Sequence, residues 1–287
     1  LLESHLNSSK VCTISAVHPA GRFGGISIED DGIVSNFEEK PLNYEGAVTA
    51  MLGQKLSQSE IKINERKREI LNLKGVRLAS GSKPFDLSFF ENEIVSITGL
   101  IGSGKTTLAS QIFGLDPNSK VKMTLNGDAY KPKSPKEAIA AGVFMCPKDR
   151  ASNAVVSEFD ISNNLALPFL KRHSRLSFLR SKSLAQNARN SIDKLGIVCQ
   201  SEMDSVTTLS GGNQQKVMVG RWLAEESSVL LLDEPFQGVD IKARRDIGLQ
   251  IRSTSSQRAT LIFVAELDEA LEIADRVIVL HLSLIHI

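Results

Sequence analysis

From about residue 70 onward, short runs rich in apolar and β-branched residues alternate with longer stretches whose apolar positions recur every three or four residues. The runs are Glu93–Thr98 (EIVSIT), Val143–Cys146 (VFMC), Val229–Leu232 (VLLL) and Thr260–Val264 (TLIFV). Short runs of this kind predict strands, and VLLL predicts one buried on both faces. Between them the pattern predicts a helix from about Lys105, with Leu108, Ile112 and Phe113 toward the sheet. A second helix is expected after Ser210, with Val219, Trp222 and Leu223 on its apolar face. Strands alternating with helices predict an α/β domain with a largely parallel sheet.

The front of the chain has a different pattern. Ser9–Val17 reads as a strand, and Gly25–Asp30 with Ile33–Glu38 as a hairpin around Asp31-Gly32. Asp-Gly supplies the positive φ of a two-residue turn, but a hairpin of this size is not stable alone in water. Ala47–Ser59 predicts a short helix with Val48, Met51 and Leu52 on one face, and Ser59–Glu69 reads as a charged linker. Ser157–Thr208 is rich in Lys, Arg, Ser and Asn and reads as a helical subdomain. Its cations near Phe178-Leu179 fit either a docking face for a membrane partner or a solvated surface. His173 is expected at the surface, because no metal-ligand partner is spaced near it.

The 287 residues carry a net charge of +1 and only 5% are aromatic. A near-neutral chain with few rings is not expected to bind nucleic acid. Cys12, Cys146 and Cys199 are scattered and odd in number. Neither a disulfide framework nor a structural zinc site is expected, and a reducing compartment fits. No apolar run reaches the ~18–20 residues that span a bilayer, so a membrane role calls for a partner. The chain starts at Leu1 and reads as a fragment, and residues 282–287 (LSLIHI) read as a translated sequencing-adapter residue.

Three motifs carry chemistry. Gly99-Leu100-Ile101-Gly102-Ser103-Gly104-Lys105-Thr106-Thr107 follows the first core strand and matches the P-loop pattern. Gly99, Gly102 and Gly104 allow a tight turn whose N–H groups, with Ser103, face phosphate oxygens. The helix beginning at Lys105 aims its positive end at the same charge. Lys105 reaches the outer phosphates, Thr106 offers a hard oxygen to Mg²⁺, and Thr107 contacts a phosphate. The VLLL run ends in Asp233-Glu234-Pro235. Asp233 is placed to face a magnesium ion and Glu234 to orient an attacking water; alone, the pair reads equally as a solvated acidic turn. The third motif is Leu209-Ser210-Gly211-Gly212-Asn213-Gln214-Gln215-Lys216-Val217. It reads as a second anion-binding helix start, or, in isolation, as a simple helix cap.

P-loop, LSGG and an apolar strand ending in Asp-Glu-Pro together resemble the nucleotide-binding domain of ABC ATPases over about residues 68–280. The fold class implied is α/β: a P-loop NTPase of the ABC ATPase type with a helical subdomain, preceded by a small β-hairpin fragment. The resemblance implies ATP and Mg²⁺ as cofactors, with Glu234 catalytic. It implies that Leu209, Ser210, Gly211, Gly212 and Gln214 serve the ATP held by a partner, either a first ATPase half or a second ATPase chain. Further partners implied are transmembrane permease subunits and, indirectly, a periplasmic sugar-binding protein. The implied location is the cytoplasmic face of the plasma membrane.

LSGGNQQKV, the run Asp233 to Asp240 (DEPFQGVD) and Lys148-Asp149-Arg150 resemble the second half of bacterial sugar-importer ATPases of the ribose, galactose and xylose type. The expected function is ATP hydrolysis powering monosaccharide import. Nucleoside importers carry a similar signature and stay open. The stretch His18–Gly24 with Glu38–Pro41 resembles sugar-1-phosphate nucleotidyltransferases of the glucose-1-phosphate cytidylyltransferase group, mapping Glu39 and Lys40 to a sugar phosphate. That family's nucleotide loop is absent, so no transferase activity is expected. The expected organisation is 1–46, a nucleotidyltransferase-like fragment of a chimeric gene; 47–67, linker and tail of a missing first half; 68–281, ABC ATPase domain with a helical subdomain at about 155–225; and 282–287, adapter.

Three positions depart from the ABC pattern. Lys148 stands where a glutamine is expected, Ala265 where a histidine is expected, and Leu78 to Lys83 lacks an aromatic ring for adenine, with Phe85 a weak substitute. The expectation is good ATP binding with slow hydrolysis, and an ATP-binding regulatory half remains an alternative.

Overall fold

The computed structural model describes residues 67–78, 82–116, 118–148, 155–175, 178–281 and 284–286. Expectations for residues 1–66, including the hairpin, the nucleotidyltransferase-like stretch and the 47–59 helix, and those for Asp149-Arg150, lie outside the described residues.

The central sheet contains β3 (Ile94–Gly99), β6 (Val143–Cys146), β9 (Val229–Asp233), β10 (Ala259–Phe263), β11 (Arg276–His281) and β12 (Leu284–His286), in the order β12-β11-β3-β10-β9-β6. All neighbours run parallel except β12, which pairs antiparallel with β11. The runs expected as strands are these strands, displaced by a residue at most. Every residue of β6, β9 and β10 is buried, which is why they read as nearly continuous apolar runs, with Thr260 and the terminal Asp233 the exceptions.

The two faces of the sheet build separate cores. Leu231 of β9 joins Leu71, Phe89, Ile97, Leu108 and Phe263 on one side, while Leu230 and Leu232 join Phe144, Met218, Trp222 and Ile262 on the other. The alternation is the two-residue period of a strand. An antiparallel sheet shares the first core. It consists of β1 (Glu69–Val76), β2 (Phe85–Phe90), β4 (Lys122–Leu125) and β5 (Asp128–Tyr130), ordered β2-β1-β4-β5. α1 (Lys105–Ile112) contributes Leu108 and Ile112 to the same core. Glu93, fully buried, receives Arg276 through bonds of 2.9 and 3.0 Å, and Arg276 also donates to the Ser88 carbonyl at 2.7 Å. One guanidinium therefore ties β11 of the parallel sheet to β2 of the antiparallel one.

α2 (Pro135–Ala140) leads into β6; its start carries Ser134, whose hydroxyl accepts from the Glu137 N–H, and proline in the first turn, the usual opening of a helix. Next come α3 (Ile161–Ala166), a 3₁₀ turn (Leu167–His173), the ribbon β7 (Ser174–Arg175) and β8 (Phe178–Leu179), and α4 (Ser181–Leu195). α5 (Gly211–Leu223) follows, then α6 (Ile241–Ser253) and α7 (Leu267–Leu271). A third core of Ile161, Leu165, Ala188, Leu195, Val206, Leu209 and Val217 holds the helical part together. α5 belongs to both regions: Val217 enters this core, and Met218 and Val219 the sheet's second core.

His173 corrects the sequence reading. It is buried, not at the surface, because the 3₁₀ turn folds against α4 and its Nδ1 shares a hydrogen bond with Ser183 Oγ at 2.9 Å. Among the described residues no helix is long and apolar enough to cross a membrane.

Candidate functional site

The P-loop leaves the carboxyl end of β3 and Asp233 closes β9, with β10 lying between those two strands. Ligands of open parallel sheets sit at such carboxyl edges. Gly99 has φ +152°, and a Cβ there would lie 2.3 Å from the Leu280 carbonyl oxygen. Gly104, the N-cap of α1, has φ +99°, and a Cβ would lie 2.6 Å from that of Leu78. Neither position admits a side chain without displacing its neighbour. The loop closes on itself through the Ser103 N–H and the Leu100 carbonyl at 3.1 Å, and Lys105 Nζ donates to the Gly99 carbonyl. Gly102, also at positive φ, completes the turn. Thr106 and Thr107 stand exposed in the first turn of α1, while Leu108 and Ile112 below them are buried.

Ser103 Oγ is buried and, among the described residues, has no hydrogen-bond partner. An unpaired hydroxyl under a glycine-rich loop, a lysine ammonium on that loop and a helix start fit a polyphosphate. The fit to a divalent cation lies beside it. Asp233 is buried, and the Thr106 side chain lies near enough to act on its carboxylate. Burial, then the neighbouring Glu234 charge, pushes the Asp233 carboxyl up to about 6; Lys148, Lys105 and the Thr106 hydroxyl pull the other way. A threonine hydroxyl beside a buried carboxylate is a hard-oxygen pair suited to Mg²⁺. The structure thus brings together Lys105, Thr106, Asp233 and Glu234. It also brings Lys148 near enough to act on Asp233.

Glu234 has φ +50°, a left-handed conformation that costs roughly 1–3 kcal/mol for such a residue. The surroundings enforce it. Its N–H donates to the Phe263 carbonyl at 2.8 Å, its carbonyl accepts from Gln237 at 3.1 Å, and its carboxylate accepts from the Ala265 N–H at 3.1 Å. Ala265 lacks an imidazole but still aims the Glu234 carboxylate through its backbone. Phe85 pairs with Val76 and is half-buried against the first core.

Ser210 caps α5, accepting from the Asn213 N–H at 3.4 Å and from Asn213 Nδ2 at 3.0 Å. Leu209 is buried and its carbonyl accepts from Gln214 Nε2 at 3.1 Å. A Cβ on Gly212 would meet that of Ala243 at 3.2 Å, so the first turn of α5 packs closely on α6. Three polar residues of α5 escaped the sequence reading. Gln215 Nε2 donates to the Pro235 carbonyl at 2.9 Å, joining this helix to the Asp-Glu-Pro turn. Lys216 bridges the Gly196 carbonyl at 3.0 Å and Asp246 at 2.7 Å. Arg221, its pKa lowered by burial, donates to the Asn164 carbonyl at 2.6 Å and to Asn164 Oδ1 at 3.2 Å. A signal existed: Gln215 precedes Val219 by four residues and Arg221 follows Val217 by four, so the helical period puts both on buried faces.

These features define a P-loop nucleotide-binding α/β domain. The profile of the ABC transporter family matches residues 82–237, and the chain belongs to that family. It is 34% identical over 242 residues to the arabinose import ATP-binding protein AraG of Rhizobium etli, covering 82% of this chain and 48% of that protein. It is 33% identical over 255 residues to the ribose import ATP-binding protein RbsA 2 of Rubrobacter xylanophilus, covering 88% and 49%. With the galactose/methyl galactoside import ATP-binding protein MglA of Fusobacterium nucleatum subsp. nucleatum the figures are 31% over 258 residues, 88% and 52%. The chain spans about half the length of these curated relatives. Two solved structures share the fold. One is MJ1267, an ATP-binding cassette of an ABC transporter in its ADP conformation, with TM-score 0.65 and 20% identity over 77% of this chain and 90% of that one. The other is the dimeric post-hydrolysis state of the ATP-binding cassette MJ0796 bound to ADP and Pi, with TM-score 0.62 and 19% identity over 75% and 95%.

Proposed function

We propose that residues 68–281 bind and hydrolyse MgATP as the second ATPase half of a bacterial sugar importer. The observation that carries this reading is the convergence of Lys105 and Thr106 on Asp233 at the carboxyl edge of the sheet. Gly99, Gly102, Ser103, Gly104, Lys105, Thr106 and Thr107 hold the phosphates. Thr106 and Asp233 would hold Mg²⁺, which when bound neutralises charge on the phosphate oxygens. Glu234, fixed by Phe263 and Ala265, orients the attacking water and takes its proton.

Leu209, Ser210, Gly211, Gly212 and Gln214 serve the ATP of a partner, a first ATPase half or a second chain; the half-length match to the relatives favours the former. The import proteins among the relatives support permease subunits as further partners, a periplasmic sugar-binding protein acting indirectly, and a place at the cytoplasmic face of the plasma membrane. Their names divide among arabinose, ribose and galactose, so the reading stops at a monosaccharide.

A regulatory half with little hydrolysis is the second reading, and the Lys148 cation beside Asp233 favours it. Calorimetry and phosphate release separate the two. Uptake of MgATP is expected, weakened about ten- to a hundredfold in K105A by loss of a charge-assisted bond. Slow turnover is expected, falling about a hundredfold in E234Q. A folded sample that takes up no MgATP refutes the nucleotide site. Fast turnover indifferent to E234Q refutes the assignment of Glu234, and binding without any turnover selects the regulatory half.

A further inference from the structure

We propose that the β7–β8 ribbon seats on an anionic phospholipid surface. From Ile161 to Ile192 the chain carries Lys171, Arg172, Arg175, Arg180, Lys182 and Arg189 but no Asp or Glu, although the whole protein has a net charge of only +1. Two of these cations are neutralised, Arg172 by Glu225 and Arg189 by Glu202. Lys171, Arg180 and Lys182 are exposed and, among the described residues, meet no carboxylate. Lys182 lies in the first turn of α4, and that turn has no acidic residue. The positive end of a helix disfavours a cation there, so helix stability does not account for it.

The ribbon stands among these charges. Ser174 pairs with Leu179 and Arg175 with Phe178, and the Arg180 N–H extends the pairing to the His173 carbonyl at 2.8 Å. Phe178 is 79% exposed and Leu179 49%. Consecutive strand residues point to opposite faces, so a flat protein surface would cover only one of the two. A lipid interface surrounds side chains that point both ways and accepts Phe178 and Leu179 together, while its phosphates meet Lys171, Arg180 and Lys182. Apolar insertion at headgroup depth combined with a basic patch is a sufficient basis for reversible attachment. The inference is independent of the nucleotide site.

Flotation of the full chain with phosphatidylcholine vesicles, with and without phosphatidylglycerol, tests it. Binding is expected only with the anionic lipid and weakens with added salt. It falls about fivefold for each cation removed in K171Q, R180Q and K182Q, and is lost in F178S/L179S, with melting temperatures unchanged. No binding to anionic vesicles, equal binding to neutral ones, or binding that these substitutions leave intact overturns the proposal. Binding only to vesicles that also contain membrane protein overturns it in favour of a protein partner.

Discussion

Asp233 carries the clearest pH dependence in the site. Its carboxyl is raised from the usual 3.8 to about 6, so the folded protein holds this proton more tightly than the unfolded chain does. In the metal-free protein its contribution to stability is complete below the unfolded value and is lost as pH rises through the folded one. The proposed metal ligation would run the other way, since only the carboxylate form would bind Mg²⁺. Lowering the pH from about 7.5 to about 5.5 is expected to weaken MgATP uptake roughly fourfold through this group alone. Calorimetry on the wild type and on D233N, which has no titrating side chain there, checks it. An equal pH dependence in both would show that Asp233 is not the titrating group.

Among the elements, α5 decides most. Its N-cap is Ser210, its buried polar residues reach Pro235, Asp246 and Asn164, and its apolar residues enter two cores. S210A removes the cap and is expected to cost about 1 kcal/mol in urea unfolding. MgATP uptake by the chain's own P-loop should stay unchanged, because the proposed role of Ser210 is toward a partner's nucleotide. A large loss of uptake would contradict that role.

Across the whole molecule, the Arg276–Glu93 pair joins the two sheets above the first core. R276M takes the guanidinium away from a fully buried Glu93 carboxylate, which keeps its bond from the Phe90 N–H at 3.2 Å, and is expected to destabilise the fold by about 3–5 kcal/mol. E93Q/R276M, which removes the buried charge, should recover part of that loss. Urea denaturation of the two variants against wild type gives the comparison. If both are equally unstable, the pair's role is packing rather than charge.

The strands β3, β6, β9 and β10 were legible from the sequence because burial on both faces makes each a short run dominated by apolar and β-branched residues. The P-loop turn and the Ser210 cap were legible because each is a local code, written in neighbouring residues. The Asp233-Glu234 pair alone read equally as a solvated acidic turn, and only packing, which buries both residues, decided against that. Tertiary structure alone decided that β10 runs between β3 and β9, which sets Ala265 against Glu234 and Thr106 against Asp233. It alone buried His173 beside Ser183, and gave Gln215, Lys216 and Arg221 partners on other elements. The reason is one of range. A residue's own neighbours determine its helix, strand or turn, but the order of parallel strands and the partner of a buried polar group depend on segments many residues away, which meet only when the chain packs.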